Sequence, residues 1–368
     1  MSIRDASVDA NATTWQSKDI CEEATRRPGM LTLDLMRNID LKPTPWGQII
    51  TAVGVLMVDY NIPGKATRIR VEGLENIPKT GKVFLAMNHT DRFNYWPLQY
   101  RMWLDERVYT ATWVKGKYFN NPLMAQFMVH TNNIPTPSRG YIITCDTLGT
   151  LGEPPSDALY RVVRDALDSD TRDMDAIKER AAQLGIMSQL DELLTRPRVI
   201  LGRSFNPHRE TYFDAMDDLF SKLMDEFIRL NNKAFSMGHK IIVFPEGTRS
   251  LRLTKGRPGL AQMALRTGAT IVPIGCNGSD DLYPGDSPFS KGGEVVYRIG
   301  EPLRPDGDLR EFQIAEDYVP FTKQAQARFG DHFQGVTDLL MERIAALLDS
   351  RYLDAGETTE VRGANRFV

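Results

Sequence analysis

The chain has 368 residues, 42% apolar and 25% charged, the composition of an ordinary globular protein with room for one large domain or two ordinary ones. Its 45 basic and 48 acidic residues leave a net charge of −3, which argues against a nucleic-acid partner recruited by bulk charge. Three cysteines, Cys21, Cys145 and Cys276, lie far apart without paired spacing, which argues for a reducing compartment and against a metal cluster or disulfide frame.

Acidic and polar residues fill the first twenty positions, which is not a signal-peptide pattern, and residues 1–27 read as a mobile tail. Met30, Leu31, Leu33, Leu35 and Met36 predict a short amphipathic helix over 30–40. Pro43 and Pro45 break it and admit a second helix over 46–60, which Pro63-Gly64 ends. No stretch reaches the roughly 18 apolar residues that a spanning helix requires. Helix 46–60 therefore reads either as packed against the domain or as lying in a membrane interface. Trp46 and Tyr60 at its ends suit the headgroup level.

From Arg68 the rhythm becomes α/β. Short strands are predicted over 68–71, 83–87, 107–114 and from Asn133, with helices over 95–104 and 122–130 between them. Residues 156–168, 174–195 and 213–235 read as helices. In the last, Met216, Leu219, Phe220, Leu223, Phe227 and Leu230 recur at three- and four-residue steps. A helix over 259–267, a strand over 271–274, a strand over 294–299 and an amphipathic helix over 335–352 complete the chain.

Two strand exits carry the candidate chemistry. Ile241-Ile242-Val243-Phe244-Pro245-Glu246-Gly247-Thr248-Arg249-Ser250 is a buried strand that stops at two turn formers. An acid, a hydroxyl and an arginine then follow within four residues. The planar fork and permanent charge of arginine suit an anionic oxygen, phosphate above all. Between Lys240 and Arg257, five cations face Glu246 alone, which fits a phosphate-rich ligand. Upstream, Phe84-Leu85-Ala86-Met87-Asn88-His89-Thr90-Asp91-Arg92-Phe93-Asn94 is again an apolar strand ending at a polar turn, with a histidine at its exit. Ala269-Thr270-Ile271-Val272-Pro273-Ile274 is a third short strand. There is no Gly-x-Ser-x-Gly elbow, no Walker loop, no Gly-x-Gly-x-x-Gly fingerprint and no pair of histidines at metal-ligand spacing.

In this order the three segments resemble the glycerolipid acyltransferase family typified by 1-acylglycerol-3-phosphate acyltransferase, over about Arg68 to Leu303 with a long insertion. The resemblance implies an α/β fold: a mixed central sheet flanked by helices, with an N-terminal helical element and a helical insertion. It divides the chain into 1–66 (tail and membrane-contact helices), 67–310 (acyltransferase domain, with 145–209 inserted) and 311–368 (a helical extension packing on the domain). In the family a histidine, four intervening residues before an aspartate, acts as general base on the acceptor hydroxyl without an acyl-enzyme. That role falls to His89, and the aspartate position is occupied by Asn94. Asparagine can hold the ring tautomer but brings no negative charge, a change that in a serine protease costs roughly 10⁴-fold in turnover. Asp91, two residues from His89, is the other candidate source of that charge. Glu246, Gly247, Thr248 and Arg249 match the acceptor-binding motif, with Arg249 on the glycerol phosphate. An arginine after an Ile-Pro strand is the family's second phosphate contact, and Ile134-Pro135-Thr136-Pro137-Ser138-Arg139 offers Arg139 for it. Lys115 and Lys117 are weaker candidates for the same role.

The implied activity is transfer of a fatty acyl group from acyl-CoA or acyl carrier protein to a hydroxyl of a glycerophospholipid precursor, 1-acylglycerol-3-phosphate first. No metal or organic cofactor is implied. The implied partners are the acyl donor, a lysophospholipid-type acceptor and the cytoplasmic side of a membrane surface, bound peripherally. The alternative is a non-catalytic lipid- or acyl-CoA-binding protein that keeps the fold, a reading motivated by Asn94 and the insertion.

Overall fold

In the computed structural model, which describes residues 30–169 and 171–353, the apolar run Val83–Met87 is a central strand buried along its whole length. Successive side chains of a strand enter opposite faces. Phe84 and Ala86 join one core, and Val83, Leu85 and Met87 join the other. A strand covered on both faces has no polar alternation, which is why this one reads as an unbroken apolar run. The proposed tail over 1–27, and Cys21 with it, lies outside the described residues.

The main sheet has seven strands: β1 (Thr67–Glu72), β2 (Val83–Met87), β3 (Thr110–Lys115), β4 (Asn133–Thr136), then β7 (Lys240–Val243), β8 (Thr270–Asn277) and β9 (Gly293–Ile299). Between β4 and β7 the hairpin β5 (Arg198–Ile200) and β6 (Arg203–Phe205) stands apart. The order in the main sheet is β1-β9-β8-β2-β7-β3-β4. β8, β2, β7, β3 and β4 run parallel to one another. β9 runs antiparallel to β8 and carries β1 parallel to itself at the edge. The carboxyl ends of β2, β3, β7 and β8 therefore emerge along one edge of the sheet, the place where open α/β sheets bind ligands.

Helices cover both faces. In chain order they are α1 (Leu33–Asn38), α2 (Trp46–Ile50, continued by a π-helical turn Thr51–Leu56 and the α-turn Met57–Tyr60), α3 (Trp96–Glu106), α4 (Pro122–His130), α5 (Arg139–Leu151), α6 (Asp157–Asp168), α7 (Met174–Gln183), α8 (Met187–Thr195), α9 (Tyr212–Ser236), α10 (Gly259–Thr267), α11 (Ser279–Leu282) and α12 (Lys323–Ala345). α2 and α3 cover one face through Ala52, Leu56, Tyr60, Leu98 and Met102. On the other face α9, capped by Thr211, lays down Met216, Leu219, Leu223, Phe227 and Leu230. The inserted segment packs there too: Leu159, Val163, Leu190 and Leu193 belong to the same core as α9.

Several sequence expectations change. The helix over 174–195 is two helices, because Gly185 adopts a left-handed backbone (φ 69°) between α7 and α8. The inserted segment is not wholly helical, since it ends in the β5–β6 hairpin, and its expected start at residue 145 falls inside the continuous helix α5. The C-terminal helix begins at Lys323, behind a Thr322 cap, and ends at Ala345 rather than running to 352. Helix 46–60 packs against the domain through the buried Leu56 and Tyr60, while Trp46, Ile50, Val53 and Val58 are exposed. No helix of the described residues is long and apolar enough to cross a membrane.

Candidate active site

The turn leaving β2 is built by asparagines. Asn88 accepts the Cys276 N–H at 2.7 Å and donates to the Cys276 carbonyl at 3.1 Å, fastening the end of β2 to β8. Asn94 donates to the Asn88 carbonyl at 2.8 Å, and the Tyr297 hydroxyl donates to the Asn94 carbonyl at 2.6 Å. Asp91 closes the turn from within: its carboxylate accepts the Phe93 N–H at 2.8 Å and the Thr90 hydroxyl at 3.0 Å. A carboxylate bonding its own chain two residues on is the usual Asx-turn, which explains an aspartate here without any catalytic duty. Burial pushes the Asp91 carboxyl up.

This frame holds the His89 ring flat against Phe244, 4.0 Å between ring centres and 15° from parallel. Nδ1 of His89 is buried without a conventional hydrogen bond, and so is Oδ1 of Asn94. The Asn94 side chain is nonetheless the group that most favours a proton on the ring, with the Asp91 main chain next. Of the two candidates, then, it is Asn94 rather than the Asp91 carboxylate that attends the imidazole. Burial holds the His89 imidazole down at about 3, and the cations of Arg249 and Lys115 add to the depression. At neutral pH the ring is uncharged, the form a general base requires.

Glu246 has a structural task. It is 1% exposed, accepts the His89 N–H at 2.9 Å through Oε1, and accepts the Thr254 N–H and hydroxyl through Oε2, both at 2.8 Å. The carboxylate therefore ties the exit of β7 to the exit of β2. Gly247 turns the chain at φ 70°, its N–H donating to the Phe244 carbonyl at 3.0 Å. A Cβ there would lie 3.1 Å from Cδ of Arg257, so glycine answers both the backbone angle and the close approach. Ser250 N–H donates to the His89 carbonyl at 2.8 Å. Thr248 is half-buried and Arg249 exposed between these anchors.

Two cations act on this histidine, and one of them is linked through Lys117 to a further arginine. Arg249 and Lys115 act on His89 directly. Lys117 is pushed down by burial, then by Arg249 and Arg92. Arg92 is paired with the exposed Asp286 at 2.9 Å, and its Nε is buried without a partner. Arg249 has no carboxylate partner among the described residues. Arg139 does not join this group. Its guanidinium donates to the Leu167 carbonyl at 2.9 Å, lies 3.3 Å from Asp217 and 3.6 Å from Asp168, and stacks over Phe220. The Ile-Pro strand exit is present as expected, but Arg139 is turned between α6 of the inserted segment and α9. Arg92 and Phe244 are the residues that motif reasoning passed over. Both lie in the strings already singled out, yet only the fold shows one as part of the cationic rim and the other as the surface behind the imidazole.

A neutral histidine under a cationic rim, at the carboxyl edge of a mixed α/β sheet, suits an enzyme that deprotonates a hydroxyl on an anionic molecule. A family model described as Acyltransferase matches residues 68–184 and 215–277, just under half of the chain, and supports its membership of that family. The interruption in the match takes in α8 and the β5–β6 hairpin. Among solved structures, the chain is similar to the 1-acyl-sn-glycerophosphate (LPA) acyltransferase PlsC from Thermotoga maritima, at 17% identity and a TM-score of 0.33, covering 76% of this chain and 73% of that one. No curated protein matches the chain.

Proposed function

We propose that the protein transfers a fatty acyl group from acyl-CoA or acyl carrier protein to a hydroxyl of a glycerophospholipid precursor, with 1-acylglycerol-3-phosphate as the first candidate. The observation that carries this reading is a half-buried His89 at the exit of β2, its Nδ1 buried, with the exposed Arg249 and Lys115 acting on its ring. With Nδ1 buried, His89 takes the acceptor's hydroxyl proton through Nε2. The hydroxyl oxygen attacks the thioester carbonyl carbon, the carbon–sulfur bond breaks, and the imidazolium returns its proton to the departing thiolate. Arg249 and Lys117 hold the acceptor's phosphate. Glu246 acts on the main chain of His89 rather than on substrate.

Contact with a membrane surface is part of the proposal. Trp46 (69% exposed) and Ile50 (66%) lie on α2, and Leu123 (83%) and Met124 lie on α4. The two helices touch at Gly47, where a Cβ would lie 2.4 Å from the His130 carbonyl oxygen. Apolar side chains this exposed on neighbouring helices suit the boundary of lipid headgroups and acyl chains.

Asn94 favours keeping one second reading, a lipid-binding protein without turnover, since among the described residues no carboxylate side chain attends the His89 ring. Purified protein with detergent, radiolabelled acyl-CoA or acyl carrier protein, and a panel of glycerol 3-phosphate, lysophosphatidic acid and lysophosphatidylcholine separates the two. Product that disappears in His89→Ala supports transfer. Binding without product from either donor supports the second reading.

A further inference from the structure

The catalytic turn is held by two loops, and both loops are held by one residue far away in sequence. Beyond α12 the chain crosses the end of β8 and closes in the 3-10 turn Ser350–Tyr352. The crossing is tight. A Cβ on Gly275 would lie 2.5 Å from the Leu347 carbonyl oxygen, and Asp349 N–H donates to the Asn277 side chain at 2.8 Å. Tyr352 is wholly buried there.

From Tyr352 two arms run to the turn that holds His89. Its carbonyl accepts the Leu253 N–H at 2.9 Å. The next residue, Thr254, donates twice to Glu246, and the other oxygen of Glu246 accepts the His89 N–H. Its hydroxyl accepts the Gly278 N–H at 2.7 Å and donates to Asp280 at 2.6 Å. Gly278 follows β8, where Cys276 is fastened at both backbone atoms to Asn88, the residue before His89. Arg351 lies over the Tyr352 ring at 4.7 Å and bonds Asp281 at 2.9 Å, securing the turn from outside. α12 presses on the same loop, since a Cβ on Gly256 would lie 2.6 Å from Thr337. The family match ends at residue 277, so this brace lies outside the matched segments.

We propose that the C-terminal turn is a clasp for the active site, with Tyr352 a positioning residue that fixes the Glu246 loop and the β8 exit on either side of His89. Hydrogen bonds in series between rigid elements transmit position: the peptide N–H of His89 can stay on Glu246 only while Thr254 and Leu253 stay in place. The geometric claim stands by itself, and its consequence for turnover rests on the acyl-transfer reading above.

The test uses the full chain carrying Tyr352→Phe, which keeps the ring and removes the hydroxyl, alongside a chain ending at Asp349. Residue-resolved amide hydrogen exchange is measured first. In the shortened chain, which loses the Tyr352 carbonyl, the expected result is exchange about tenfold faster at Leu253, Thr254 and His89, in step; in Tyr352→Phe, which loses only the hydroxyl, it is faster exchange at Gly278 and Cys276, with amides of β3 and α5 unchanged in both. Faster exchange confined to Gly278 and Leu253, with Thr254 and His89 as in the wild type, would overturn the clasp. Should the shortened chain fail to fold, Tyr352→Phe decides by itself through the other arm: faster exchange at Gly278 that does not reach Cys276 overturns the clasp. Acyl transfer is then measured: kcat is expected to fall about tenfold with KM held within twofold, because position and not binding is lost. A raised KM with unchanged kcat counts against the positioning role. A wild-type protein without transfer refutes the acyl-transfer reading alone, and the exchange result still decides the clasp.

Discussion

Two arginines met the same sequence criterion and have opposite surroundings. Arg249 and Arg139 each follow a short apolar strand closed by proline, and each was a candidate for holding phosphate. Arg139 is surrounded by Asp168, Asp217, the Leu167 carbonyl and the face of Phe220. Arg249 stands exposed, with Lys115, Lys117 and Arg92 nearby and no carboxylate partner among the described residues. The comparison teaches that a cation becomes a binding group where the fold withholds its counter-charge. Where the fold supplies one, the same residue is a cross-link. Repulsion among neighbouring cations destabilises the free protein slightly, and a bound phosphate relieves it.

The sharpest break is at the base itself. His89→Ala is expected to lower kcat by about 10²- to 10⁴-fold while acceptor binding is kept, read in the transfer assay beside a melting curve that stays near the wild type. Next comes the arginine pair. Arg249→Ala should raise the KM of a phosphorylated acceptor about 10- to 100-fold with little change in stability, the loss of a charge-assisted contact. Arg139→Ala should leave that KM alone and cost about 1–3 kcal/mol of stability, measured by denaturant unfolding. If both variants raise KM alike, the comparison collapses. Glu246→Gln is expected to cost about tenfold in kcat with a lowered melting temperature, because an amide offers one acceptor oxygen where three donors converge.

The smallest effect concerns pH. Burial, then Arg249 and Lys115, hold His89 at about 3 in the free protein. A bound phosphate offsets those cations and favours the imidazolium, so the ring's pKa rises. A base works only when neutral, and activity is lost as pH falls through that pKa. The acid limb of kcat should therefore lie at higher pH than the acid limb of kcat/KM. Coincident limbs in the two profiles would show that the cations near His89 are not the ones that meet the phosphate.

The strands and their exits were legible because the physics is local. An apolar run of four or five residues closed by Asn, Pro or Gly has few other ways to fold, and β2, β7 and the turns bearing His89 and Arg249 follow it. The helix α9 was legible for the same reason, from its apolar spacing. What stayed hidden depends on meetings across the chain. Nothing near Glu246 says that its carboxylate receives the His89 N–H from 157 positions away. Nothing near Arg139 announces Asp217. The choice between Asp91 and Asn94 turned on the path of one turn, and Asp91 is used by that turn. The β5–β6 hairpin, at three residues a strand, carries too little pattern to be seen.

The most direct test of the account asks whether the cationic rim reads a phosphate. Transfer to 1-acylglycerol-3-phosphate is measured against transfer to the same monoacylglycerol lacking phosphate, in wild type and Arg249→Ala, with acyl-CoA and acyl carrier protein each supplied as donor. The account predicts strong preference for the phosphorylated acceptor, most of it lost in the variant. Equal transfer to both acceptors by the wild type, or a preference that survives the loss of Arg249, would contradict it.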